Sequence, residues 1–84
     1  MPRYFFDLYN DITALDDEGR ELPDLESAKN NASKEAREMV EASVHDHGRV
    51  DLRHRIELRN DAGAVVHTVH FEDAVNVVRA GQPV

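Results

Sequence analysis

Between Asp24 and His47, Leu25, Ala28, Ala32, Ala36, Met39 or Val40, and Val44 recur at steps of three and four, the spacing of one face of a helix. Lys29, Asn30, Lys34, Glu35, Arg37, Glu38 and Glu41 take the other faces. Pro23 disfavours helix just before it, the Asp24 carboxylate can accept from the free N–H groups of the first turn, and Gly48 can adopt the left-handed conformation that ends a helix. His45 and His47 fall in the last turn, where a protonated imidazole favours the C-terminal end. The stripe is mainly alanine, so the pattern predicts a main helix over 23–48 whose axis lies close to the sheet it covers.

On both sides of this helix the pattern changes to alternation. In Arg3 to Tyr9, Tyr4, Phe6 and Leu8 fall on one face and Phe5, Asp7 and Tyr9 on the other, which predicts a strand with aromatic surface on both sides. Asn10-Asp11 reads as a turn, Ile12 to Leu15 as a short returning strand, and Asp16-Asp17-Glu18-Gly19 as a polar turn from which Arg20-Glu21-Leu22 leads into the helix. Arg53 to Arg59 alternates with His54, Ile56 and Leu58 inward and Arg53, Arg55, Glu57 and Arg59 outward. Asn60-Asp61-Ala62-Gly63 is a turn, and Ala64 to Phe71 is its returning strand. A loop of two or four residues would set Ile56 and Leu58 on the face of Val65 and Val69; a three-residue loop with a bulge at Gly63 would set them with Val66 and Thr68. The first gathers more apolar area and is preferred. Glu72 to Val78 predicts a short helical turn, and Ala80 to Val84 a loose tail.

The expected fold is therefore α+β: a small antiparallel sheet in ββαββ order packed on one long helix, with a short C-terminal helical turn. Residues 1–22 form the first strand and hairpin, 23–48 the helix, 49–71 a second hairpin, and 72–84 the short helix and tail, all in one domain. A chain of 84 residues buries only roughly 60–65% of its unfolded surface, so its core is thin and association would help it. The chain has no cysteine, which rules out a disulfide framework and a thiolate metal site. No apolar run has signal-peptide length or the roughly 20 residues that span a bilayer, and a soluble cytoplasmic protein without membrane contact is the expectation.

The formal net charge of −7 argues against general nucleic-acid binding, which depends on cationic side chains displacing counterions. The charge is unevenly placed. Residues 1–28 carry eight acidic groups against Arg3 and Arg20, a balance of −6, whereas residues 49–59 carry four arginines against Asp51 and Glu57, a balance of +2. Contact between the two regions, within a protomer or across an interface, is expected.

Few residues carry candidate chemistry. Phe5, Tyr9 and Val66 are interface candidates, because one helix can cover only one face of the sheet and an exposed apolar face marks an interface; a homodimer or another protein partner would cover them. Arg53, Arg55 and Arg59 form a strip that could follow phosphates, but charged side chains on an edge strand also discourage aggregation and can pair with the acidic first third. His45, His47 and His54 could be gathered into a metal site by the fold, but no pair has the helical metal spacing and His67 and His70 fall on opposite faces of a strand, so solvated or partly packed histidines and no metal site are the expectation. The acidic turn Asp16 to Glu21 is not a calcium loop, since aligning Gly19 with the obligatory glycine puts Ala14 and Leu25 at ligand positions. There is no Gly-x-Ser-x-Gly or phosphate-binding glycine loop, and the paired carboxylates Asp16 and Asp17 belong to a hydrated turn, so no enzyme activity and no cofactor are expected.

Met1-Pro2-Arg3-Tyr4-Phe5-Phe6, Asp17-Glu18-Gly19, Glu21-Leu22-Pro23-Asp24-Leu25 before an alanine-rich helix, Asp61-Ala62-Gly63, and Thr68-Val69-His70-Phe71-Glu72-Asp73-Ala74-Val75 together resemble a family of short proteins of unknown function from rhizobia, methylobacteria and related proteobacteria. The resemblance spans nearly the whole chain and implies an α+β domain; it brings no activity, cofactor or catalytic residue. The expected function is that of a small non-catalytic interaction or regulatory module that self-associates. A nucleic-acid-associated accessory protein using the arginine strip, or a metal- or ligand-binding domain using histidines, is the alternative.

Overall fold

The structure, a computed structural model, describes residues 1–76 and 78. The elements in chain order are β1 (Arg3–Tyr9), β2 (Thr13–Ala14), β3 (Arg20–Glu21), α1 (Leu25–His47), β4 (Arg55–Arg59), β5 (Val65–His70) and α2 (Phe71–Ala74). The helix ends follow the sequence signals. The Asp24 carboxylate accepts from the Ser27 N–H at 2.8 Å, and Gly48, left-handed at φ 66°, donates its N–H to the Val44 carbonyl at 2.9 Å. Ala28, Ala32, Ala36 and Val40 are the buried face. Val44, which the spacing sets on the same face, is exposed. Among the described residues no helix is long and apolar enough to cross a membrane.

The sheet is antiparallel, in the order β2-β1-β4-β5, with β3 also paired to β1. Alternation decides how β1 uses its two edges. All of Phe5 to Tyr9 stand opposite β4, but it is Phe5, Asp7 and Tyr9, opposite Arg59, Glu57 and Arg55, that turn their main chain toward it. The residues between them turn their main chain to the other edge, where Tyr4 meets β3, Leu8 meets β2, and the Phe6 N–H is bound by the Asp16 side chain at 3.1 Å. Arg20-Glu21 is thus a strand rather than a lead into the helix, giving the chain one strand more than the ββαββ pattern. The turn before it can press against β1 because Gly19 has no side chain: a Cβ there would stand 2.9 Å from the Tyr4 carbonyl oxygen, and φ is +72°.

Tyr4, Phe6, Ile56, Leu58, Val69 and Phe71 meet the alanine stripe in a single core. The hairpin register places Ile56 opposite Val69 and Leu58 opposite His67, so the preferred face holds for Val69. Val65 departs from it. The pairing slips between Leu58 and Arg59, leaving Val66 as an extra residue on β5; Val65 turns out to solvent and Val66 packs partly against the core. Arg53 lies in the turn before β4 and not on the strand. The second helix begins at Phe71 and ends at Ala74, shorter than the expected turn to Val78; the tail from Ala80 to Val84 falls outside the described residues.

Candidate functional site

The sheet face turned away from α1 is built around a buried carboxylate. Asp7 is 1% exposed. The Arg59 guanidinium donates to both its oxygens, through Nε to Oδ2 and through Nη2 to Oδ1 at 3.0 Å, and Asp7 Oδ1 also accepts the Asp16 N–H at 2.9 Å. Arg59 Nη2 further donates to the Asp16 carbonyl at 3.0 Å. Asp16 in turn accepts from the N–H groups of Phe6, Glu18 and Gly19, so the acidic turn is held to the sheet by its own carboxylate. The oppositely charged regions of the sequence meet here, within one protomer.

Arginine also covers the aromatic groups of this face. The Arg59 guanidinium lies 5.1 Å from the Phe5 ring centre and that of Arg55 lies 4.3 Å from the Tyr9 ring centre. Arg55 pairs with Glu57 at 3.0 Å, and Arg53 pairs with Asp51 at 2.7 Å. Each of Arg53, Arg55 and Arg59 therefore has a carboxylate partner, and Phe5 and Tyr9 are half-buried. Asp7 stands opposite Glu57 across the β1–β4 pair, a like-charge contact that the two arginines offset.

Asp7 and Asp16 both titrate below the ordinary carboxylate range. Arg59 is the chief cause at Asp7, outweighing burial, which acts upward. At Asp16 burial acts upward most strongly, but the N–H groups of Gly19, Phe6 and Glu18 together outweigh it. A carboxyl whose folded pKa is depressed stabilises the fold at every pH above its unfolded value, near about 4, and that contribution is lost as pH falls through this value toward the folded pKa. The urea midpoint is accordingly expected to be level from neutral pH to about 5 and to fall below about 4. A midpoint still level at about pH 3 would contradict this assignment.

A second cluster stands beyond the C-terminal end of β1. His54 Nε2 lies 3.6 Å from Asp11 Oδ1 and 3.6 Å from Asp51 Oδ2. Three adjoining depressions of about 300, 290 and 400 Å³ converge on Asp11 and His54, and His47 lines the first two. Of the three histidines considered for a metal site, the fold brings His47 and His54 to one place; His45 lines none of these depressions. His67 is half-buried and His70 exposed. The carboxylates Asp11 and Asp51 were not foreseen as partners of His54. The spacing of Asp51 and His54 was a local signal for one of them, while Asp11 reaches the site only through the β1–β2 turn.

A small antiparallel sheet with one long helix against a single face and a short second helix defines an α+β domain. Residues 3–72 match the family described as Domain of unknown function (DUF6894), and the chain belongs to that family. No curated protein and no solved structure matches it.

Proposed function

We propose that the domain is a small, non-catalytic interaction module of the cytoplasm that acts as a homodimer, joined through the free edge of β5. The observation that carries this reading is the edge itself: among the described residues nothing pairs with the outer side of β5. The Phe71 N–H donates to the His54 carbonyl at 2.9 Å, which fixes the alternation on this strand. Val69 and His67 turn their main chain to β4, whereas Thr68 and His70 turn theirs outward. The strand contains neither proline nor lysine to discourage pairing. A second copy meeting this edge about a two-fold axis would satisfy the same groups on both chains, and exposed Val65 with half-buried Val66 would add apolar area. The aromatic pair Phe5 and Tyr9 supports the dimer less, because guanidinium groups stack on it.

Solution mass measured over a wide concentration range tests this reading. The unmodified chain is expected to be dimeric, and Thr68→Pro to weaken the dimer at least about tenfold, equivalent to about 1.4 kcal/mol. The Thr68 N–H faces away from β4, so proline there removes no bond of the β4–β5 ladder, and the circular dichroism spectrum should be retained. A chain that is monomeric at high concentration, or a Thr68→Pro variant that folds and remains fully dimeric, would overturn the proposal.

A further inference from the structure

We infer that Asp11, Asp51 and His54 form a binding site for a divalent transition-metal cation of the zinc class. The site is separate from the β5 edge and does not depend on self-association. At 3.6 Å, His54 Nε2 makes a full hydrogen bond to neither carboxylate. The three side chains instead surround a space: one ligand atom from each lies within 4.8 Å of the other two. Three atoms no more than 4.8 Å apart all lie within about 2.8 Å of a common centre, so small side-chain rotations bring them to the roughly 2.0–2.2 Å of zinc bonds to nitrogen and oxygen.

Two of the ligands are held in place before any ion arrives. Asp51 and His54 belong to one turn, closed by the His54 N–H donating to the Asp51 carbonyl at 3.3 Å. The imidazole packs edge-on against Phe71, with ring centres 5.6 Å apart. Asp11, 93% exposed at its side chain, comes from the β1–β2 turn and closes the site from the solvent side. Two carboxylates and one imidazole leave the fourth tetrahedral position to water or to His47, which lines the same depression. The imidazole sets the metal class, since calcium and magnesium prefer oxygen alone. Arg53 competes, because it holds both Asp51 oxygens at 2.9 and 2.7 Å. The Arg53 side chain is 90% exposed and can turn out to solvent, which frees the oxygens of Asp51, itself 13% exposed, while the Arg53 main-chain N–H still holds Asp51 Oδ1 at 2.9 Å.

The test is calorimetric titration of the full chain with zinc chloride, followed in parallel by the histidine ring resonances. One equivalent of zinc should bind and shift the His54 resonances, and calcium or magnesium at the same concentration should not. Because replacing His54 disturbs its packing on Phe71, Asp11→Asn is the decisive variant: its side chain is at the rim, its fold should be unchanged, and its zinc affinity should fall at least tenfold. The absence of zinc binding, zinc shifts confined to other histidines, or an Asp11→Asn variant that binds zinc as tightly as the unmodified chain would overturn the inference.

Discussion

Replacing Arg59 with alanine is expected to lower the unfolding free energy by about 3 kcal/mol, read from urea denaturation followed by circular dichroism. The loss comes less from the attraction removed than from the charge left behind. Asp7, 1% exposed on the middle of β1, would keep the Asp16 N–H as a partner and lose both guanidinium bonds. The Asp16 carbonyl would lose its donor as well, and the turn that closes the outer edge of β1 would be held by one contact fewer. Arg59 keeps 27% of its side chain exposed, which places the effect near the low end of the roughly 3–5 kcal/mol found when a buried pair is broken. Against a total stability of about 5–15 kcal/mol, that is a large fraction for a chain this short. Lysine should restore only part of it, because one ammonium cannot span both Asp7 oxygens and the Asp16 carbonyl as the planar guanidinium does. The double variant Asp7→Ala with Arg59→Ala should be more stable than Arg59→Ala alone, since it leaves no buried carboxylate without its partner. A double variant no more stable than the single one would show that the stranded charge is not the cause.

This network marks the boundary of what could be read from the residues alone. The helix was legible at both ends and along its face because its signals are local: the Asp24 cap, the Gly48 stop and alanines at steps of four all appear in their expected roles. The inward placement of Ile56 and Leu58 was legible for the same reason. Asp7 was not, since alternation assigns a residue to a face without saying what lies beside it on the next strand. Once β4 lies along β1, Arg59 and Arg55 fall beside Phe5, Asp7 and Tyr9, and a face that looked apolar and open becomes one of stacked guanidinium groups and paired charges. The uneven charge along the chain did foretell contact between the acidic first third and the basic segment. It could not say which pair would be buried. The extra residue at Val66 and the strand at Arg20-Glu21 were also hidden, as both depend on main-chain groups offered by a neighbouring strand. At the second cluster His54 was visible as a candidate and Asp51, three residues before it, carried a local signal, but Asp11 joins them only through the placement of the β1–β2 turn.

The other large expected effect lies in the core. Leu58→Ala should cost about 3–4 kcal/mol, again by urea denaturation. Leu58 is 0% exposed on β4 and is the largest wholly buried apolar side chain of a core whose helical side is mostly alanine. Alanine brings the helix axis close to the sheet but offers no long side chain that could swing into a vacated space. The sheet side is equally constrained, since Leu58 pairs with Phe6 on β1 and His67 on β5, and those strands are fixed by their ladders. A cavity left there would stay largely open, and the cost of a truncation rises with the volume that remains unfilled. Met39 sets the contrast. It packs only partly against the core, and its truncation should cost less than half as much. Equal losses at the two positions would mean that the helix settles onto the sheet when Leu58 is shortened, and that the close approach set by Ala28, Ala32 and Ala36 is not the limit on their spacing.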